Sequence, residues 1–240
     1  MNKLKLQYLY FIIIAIVILL TILIINNKYY KESFTNNHFS AFKYYDENDI
    51  LIDNMREEFV EQMQADKYVE SDSKVLELGA RYGTVSCVIN SKLNNKNNQV
   101  SVEPDSKVWN SLEKNMKNNS TNFNIVKGFI SSKPMELEGD GYGLTFKDVN
   151  SSSIPNYTLK DIEEKYNINF DTLIADCEGC LERFFDENKS MYKQLKLVIM
   201  EEDQPQKCNY NKIKEELKNN NFSLLESDNN GVERSVWKKK

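Results

Sequence analysis

Histidine is nearly absent: His38 is the only one among 240 residues, and it falls before the globular part of the chain. A histidine base within the domain is therefore excluded. Cysteine is scarce too, and four of them do not make a disulfide framework in a domain of this size, nor does any spacing resemble two paired zinc half-sites. Cys177 and Cys180 do form a Cys-x-x-Cys, open to reading as a redox pair or half a metal site; because it follows a strand of an apparent parallel sheet, structural or incidental thiols are expected. Excess positive charge is also missing. The net charge is −5 and the sequence pI ≈ 5.2, so no basic field advertises nucleic acid, and the closing Lys238-Lys239-Lys240 reads as a solvated tail. No nucleic-acid partner is expected.

What is abundant sits at the start. From Tyr8 to Ile25 the chain carries no charge, a run of about 18 residues that approaches the length needed to span a bilayer core. It is longer than the apolar part of a signal peptide and lacks a small-residue cleavage site, so a signal anchor is expected, with the lipid bilayer as partner through residues 8–25. Lys3 and Lys5 on one flank balance Lys28 and Lys31 on the other, which leaves the side of the membrane undecided. The expected division is an anchor over 1–27, a polar stem over 28–45 and one domain over 46–240. Asparagine runs such as Asn94-Asn95-Lys96-Asn97-Asn98 read as loops, and as the codon bias of an AT-rich genome such as that of a large DNA virus. In so asparagine-rich a chain, chance accounts for the sequons at Asn118, Asn150, Asn156 and Asn188.

The organising stretch is Val75-Leu-Glu-Leu-Gly-Ala-Arg-Tyr-Gly-Thr-Val-Ser86. A short apolar run reads as a buried strand that breaks at Gly79 into a turn, with a second glycine at Gly83 before a helix. Glycines let backbone N–H groups come close to a ligand, and the helix end adds partial positive charge. Some twenty residues on, Gln99 to Pro104 gives a second strand ending in Glu103, a position from which an acidic side chain accepts hydrogen bonds from ribose hydroxyls. A dinucleotide fingerprint is not complete: counting from Gly79, its other glycine places hold Arg81 and Thr84. NAD is disfavoured, and a different ribose-containing cofactor is expected.

Around these, Ile50 to Ala65 has apolar residues near helical spacing, Lys107 to Lys117 reads as a helix capped by Pro104-Asp105-Ser106, and Phe123 to Lys127 reads as a third strand. Strands separated by helices imply a parallel, doubly wound sheet. Residues 128–157 show little periodicity and suit a hairpin or a substrate loop. Tyr157 begins a capped amphipathic helix, Phe170 to Asp176 is a buried strand, and Leu181 to Tyr192 is a helix. Leu195 to Met200 is a strand ending in Glu201-Glu202-Asp203, followed by a helix from Tyr210 to Lys218 and a closing hairpin over Phe222 to Trp237.

Gly-Ala-Arg-Tyr-Gly-Thr-Val-Ser, Val-Glu-Pro, Thr158-Leu-Lys-Asp161 and Asp176-Cys-Glu-Gly179, in this order over about residues 74 to 202, resemble the FkbM-type S-adenosylmethionine-dependent methyltransferases. The resemblance implies a Rossmann-like class I methyltransferase fold: a mostly parallel seven-stranded α/β sheet closed by an antiparallel C-terminal hairpin. It implies S-adenosylmethionine as cofactor and a methyl acceptor that is a small molecule or glycan, reacting through oxygen. On this chain it places Glu77, Gly79, Ala80, Arg81 and Gly83 around the methionine part, Glu103 on the ribose, and Asp176 beside the reacting methyl with Glu178. Arg81 departs from the family, which commonly has Asn there; the cation either reaches the methionine carboxylate or projects into solvent. Asp176, Glu178 and Glu201 are the candidate catalytic carboxylates, since both strands that carry them end at one edge, and grouped carboxylates raise one another's pKa. The competing arrangement has Glu178 capping its helix and Glu201 exposed. Such a trio suits Mg²⁺, but no metal is expected. Two other classes stay open, a non-catalytic binding module and a nicotinamide oxidoreductase.

Overall fold

Val75–Leu78 is buried at every position, and so are Gln99–Glu103 and Thr172–Ala175. Continuous burial is what strands covered on both faces require, and it holds even for Gln99-Val-Ser-Val-Glu103, whose polar residues alternate with valines. The computed structural model describes residues 10–22, 37–53, 58–139, 141, 144–229 and 231–240. In chain order the strands are β1 Val75–Leu78, β2 Gln99–Glu103, β3 Asn124–Lys127, β4 Phe129–Ile130, β5 Met135–Glu138, β6 Thr145–Asp148, β7 Asn156–Tyr157, β8 Thr172–Ala175, β9 Leu197–Glu201, β10 Phe222–Asp228 and β11 Arg234–Lys239. The helices are α1 over 10–22, α2 Phe59–Tyr68, α3 Thr84–Lys92, α4 Trp109–Asn118, α5 Leu159–Tyr166, α6 Leu181–Glu187, α7 Met191–Gln194 and α8 Tyr210–Asn219.

Seven strands form the main sheet in the order β10-β11-β9-β8-β1-β2-β3. β11 runs antiparallel to both β9 and β10, and the remaining pairs are parallel. The mostly parallel Rossmann-like sheet with a C-terminal antiparallel hairpin is therefore present. Strand order reverses between β1 and β8, the position where the C-terminal ends of such sheets leave a crevice. Residues 128–157 form the β5–β6 antiparallel hairpin and a short parallel pair, β4 with β7.

The expected membrane anchor is overturned. No helix among the described residues is long and apolar enough to cross a membrane. α1 covers residues 10–22, short of the ~20 that a bilayer core demands, and the ends of the predicted span lie outside the described residues. The single-pass localisation and the bilayer partner drawn from that span fall with it.

The chain divides into two compact units, Met1–Phe42 and Lys43–Lys240. In the first, the described residues form α1 and a short 3-10 turn, His38–Ala41. In the second, Tyr44 is fully buried and its hydroxyl donates to the Thr84 carbonyl at 2.9 Å, while the Asn115 amide donates to the carbonyls of Tyr45 and Tyr82. The helix predicted from Ile50 is displaced: Leu51 bridges Tyr45, and α2 begins at Phe59. Its polar face explains the error, since Glu61, Gln62 and Gln64 are buried there against expectation. α4 likewise starts at Trp109 with no side-chain cap, and the segment predicted as one helix from Leu181 is broken into α6 and α7.

Candidate functional site

The C-terminal ends of β1, β2, β3, β8 and β9 open onto a cavity of about 410 Å³. Gly79, Glu103, Gly128, Asp176 and Glu201 line it from those ends, and the β5–β6 hairpin closes over them with Leu137, Thr145 and Phe146. A volume of this size is in the ~300–1,000 Å³ range of small-molecule sites.

The turn after β1 is shaped by a close approach of backbone to backbone. Gly79 has φ +90°, and a Cβ there would stand 1.7 Å from the Asp176 carbonyl oxygen at the end of β8. Glycine is needed so that these two strand ends can meet, before any ligand is considered. Gly79 and Ala80 both donate their N–H to the Val102 carbonyl, and Gly83 closes the turn on the Ala80 carbonyl at 2.7 Å. Gly83 then precedes α3 with φ +79°, where a Cβ would meet Leu112. Neither Ala80, which is buried, nor Gly83 lines the cavity.

Glu103 is held at both oxygens, accepting the Arg81 N–H and the Asp105 N–H, each at 2.7 Å. Those two bonds leave lone pairs available toward the cavity. Burial nevertheless outweighs them and pushes its carboxyl up to about 7. Arg81 lines the same wall; its guanidinium donates to the Gly141 carbonyl and lies over the Tyr82 ring. Glu77 is elsewhere, which corrects its expected place beside a ligand. Its carboxylate faces α3 and β2, accepting from Ser86, Ser101 and Gln99, and it does not line the cavity. Glu77 lies within β1, before the turn, and its side chain points to the sheet face that α3 covers, whereas the cavity opens only beyond the strand end.

Asp176, Glu178 and Glu201 all line the cavity, and Asp203 joins them. Asp176, Glu178 and Asp203 each bring an oxygen within 4.8 Å of the others. Asp203, two residues beyond Glu201 in the loop after β9, carries no motif signal of its own. Tyr210 donates to Asp203 Oδ1 at 2.8 Å, whereas Oδ2 is buried with no hydrogen-bond partner among the described residues. Glu178 does not cap α6; it accepts from Gln204 at 2.8 Å and lines the cavity. Glu201 is not exposed. It lines the cavity with Asp176 and pairs with Arg234 of β11, which also reaches Glu61 of α2.

Burial pushes Asp176 well above the usual carboxylate range, and the charges of Glu61 and Asp203 push the same way. Glu201 is raised by burial and by Asp176, against the pull of Arg234. Burial also raises Glu178, to about 7. The three oxygens are donors of the kind a hard divalent cation accepts, and equally an arrangement that holds a proton.

Cys177 and Cys180, expected as incidental thiols, are joined as a disulfide in the cavity wall. The sequence offered only the spacing as a signal. Phe129, Ile130 and Arg183 also line the cavity and were not singled out, because they come from the segment without periodicity and from a helix read only as packing.

No protein-family model and no curated protein matches this chain. Solved structures do. Precorrin-6Y C5,15-methyltransferase from Geobacter metallireducens GS-15 aligns with a TM-score of 0.51 at 13% identity, over 79% of this chain and 90% of that one. A Streptococcus pneumoniae protein assigned as a tRNA (m1A22) methyltransferase, solved in complex with S-adenosyl-L-methionine, gives 0.45 at 12% identity over 74% and 71%. A protein of the NADB-Rossmann superfamily from Streptococcus agalactiae gives 0.48 at 13% identity over 75% and 67%. At these identities the likeness is one of fold, and the alignment with the precorrin enzyme shows that the fold is that of a Rossmann-like methyltransferase.

Proposed function

We propose that this chain is an S-adenosylmethionine-dependent methyltransferase of the FkbM type, acting on a hydroxyl oxygen of a small molecule or glycan. The observation that carries the reading is Glu103. Its carboxylate is fixed by two backbone N–H groups at the end of β2, beside the glycine turn and on the cavity wall, with acceptor capacity to spare for ribose hydroxyls. Gly128 donates its N–H to the Glu103 carbonyl, so the adjoining Phe129 and Ile130 supply an apolar wall that suits a purine face.

The residues fit that cofactor, which supplies an electrophilic methyl group when bound. Gly79 and Arg81 would hold its methionine end, Glu103 its ribose, and Asp176 the boundary with the acceptor. Displacement at a sulfonium methyl needs alignment more than covalent help, so the protein's part is positioning and, for a hydroxyl acceptor, removal of a proton. Asp176, Glu178 and Asp203 face the cavity together, and Asp176 and Glu178, whose proton affinity burial raises, are suited to that task. The acidic chain, with net charge −5, favours a small or glycan acceptor over nucleic acid.

Arg81 favours a second reading, a binding module without turnover, because a cation held by Gly141 and Tyr82 replaces the family's amide in the cofactor turn. Calorimetric titration of the full chain with S-adenosylmethionine, S-adenosylhomocysteine and NAD decides between them when repeated on Glu103→Gln. Binding of the first two, weakened in the variant, supports the methyltransferase; binding without product in an acceptor screen supports the module. No binding of either sulfur ligand overturns the methyltransferase and leaves a module that keeps the fold without its chemistry.

A further inference from the structure

We propose that the Cys177–Cys180 disulfide is a redox-controlled clasp that positions Glu178 in the cavity. The bond closes a ring around Glu178 and Gly179, two consecutive residues with positive φ, +54° and +89°. Glycine adopts that region readily, whereas glutamate does so at a cost and holds it only when the surroundings demand it. Three contacts supply part of that demand. The Cys180 N–H returns to the Cys177 carbonyl at 3.2 Å, Thr145 donates to the Glu178 carbonyl at 3.2 Å, and Gln204 donates to the Glu178 carboxylate at 2.8 Å. On its preceding side the ring is pinned by the Gly79 turn, where Cys177 Cα stands 3.4 Å from the place a Cβ would take. Gly179 packs so closely on Gln204 and Lys207 that a Cβ would meet their Cβ atoms at 3.0 and 3.1 Å. The disulfide is the covalent member of this set, and it joins the residues on either side of these two positive-φ positions.

Both cysteines are half-buried and line the cavity, so a small thiol can reach the bond through the same opening as a ligand. The remaining cysteines, Cys87 and Cys208, are buried. A dithiol reductant would break the S–S bond, giving two electrons and two protons to form two thiols while becoming a disulfide itself. A ring this short restrains little of the unfolded chain, so opening it acts on the site far more than on global stability. The consequence for turnover rests on the methyltransferase reading; the clasp itself does not.

The test uses the full chain, purified without reductant. Peptide mapping after alkylation should find 177 linked to 180. Hydrogen exchange in the peptide spanning 176–183 should accelerate by ~10-fold or more on adding dithiothreitol, with little change in melting temperature. The Cys177→Ser, Cys180→Ser double variant should exchange like the reduced protein and ignore dithiothreitol. Alkylatable thiols at both positions even after diamide oxidation, or exchange indifferent to reduction, would overturn the clasp. S-adenosylhomocysteine binding is measured on the same samples: its absence in both redox states sinks the methyltransferase reading and leaves the exchange result to decide the clasp.

Discussion

Arg234 donates from Nη2 to Glu201 Oε1 at 2.7 Å, tying the last strand of the sheet to a carboxylate of the cavity. The same guanidinium donates from Nε to the buried Glu61 of α2, so one forked cation spans a buried and a half-buried acid. Removing one partner of a buried pair leaves uncompensated charge, which typically costs ~3–5 kcal/mol. Arg234→Met is expected to lose stability on that scale in urea denaturation at pH 8. Arg234→Lys should fall between, because a point charge cannot serve both acids with fork geometry. Stability of the Met variant within ~0.5 kcal/mol of the parent would mean that the pair contributes nothing net.

Glu77 gives a stability signature of opposite sign to the familiar carboxylate case. Burial raises it from 4.5 to about 7 despite hydrogen bonds from Ser101, Ser86 and Gln99. The folded state thus holds the proton more tightly than the unfolded state. The resulting stabilisation is complete below about 4.5 and is lost as pH rises through about 7. The shift is on the order of 3 kcal/mol. Glu77→Gln keeps an acceptor and a donor for the same partners, so it should flatten unfolding free energy across that window and gain relative stability at pH 8. An unchanged pH profile in the variant would assign the loss to other groups; Glu103, raised in the same direction, would be the next to replace.

The sheet was legible because its strands are buried on both faces. Val75–Leu78 and Leu197–Glu201 stand out as short, mostly apolar runs, Gln99–Glu103 is marked by its valines and its acidic end, and α5 declares itself through the Thr158–Asp161 capping box. Where burial and polarity disagree, the signal fails. α2 buries Glu61, Gln62 and Gln64, so helical spacing of its apolar residues pointed several residues too early. At the site, Glu103, Asp176 and Glu178 were found from their places after strands, but Asp203, Arg234 and Glu61 were not. Their roles depend on β11 lying between β9 and β10 and on α2 crossing that edge, pairings between residues far apart in the chain that no local pattern reveals. Glu77 misled for the converse reason: its position in the motif suggested a ligand, and the side chain is consumed by Ser86 and Ser101.

Cofactor affinity should follow the ionisation of Glu103. Its carboxyl is raised to about 7 by burial, and ribose hydroxyls donate to the ionised form. At pH 6 about a tenth of the sites would be ionised and at pH 8 about nine tenths, so S-adenosylhomocysteine should bind ~10-fold tighter at pH 8. Glu103→Gln should bind weakly and without this slope. Equal affinity at both pH values in the parent protein would place the ribose elsewhere.

The carboxylates of the cavity should separate by role when they are replaced singly. Glu201 and Asp176 both line the cavity and both are raised chiefly by burial, so a neutral Glu201 can donate to Asp176. An amide at 201 still donates, so Glu201→Gln should leave kcat nearly unchanged while weakening the link to Arg234. Asp203 differs, because Oδ2 is buried without a partner among the described residues and lies in the group that includes Asp176 and Glu178. Asp176→Asn should lower kcat by ~10²–10⁴, the usual worth of a positioned base, and Asp203→Asn by a smaller factor. The measurement is S-adenosylhomocysteine release in the presence of hydroxyl acceptors, glycans first, with melting curves beside each rate. A rate loss confined to Glu201→Gln, with Asp176→Asn and Asp203→Asn active, would move proton removal to the residue that Arg234 holds and reverse the assignment made from the geometry.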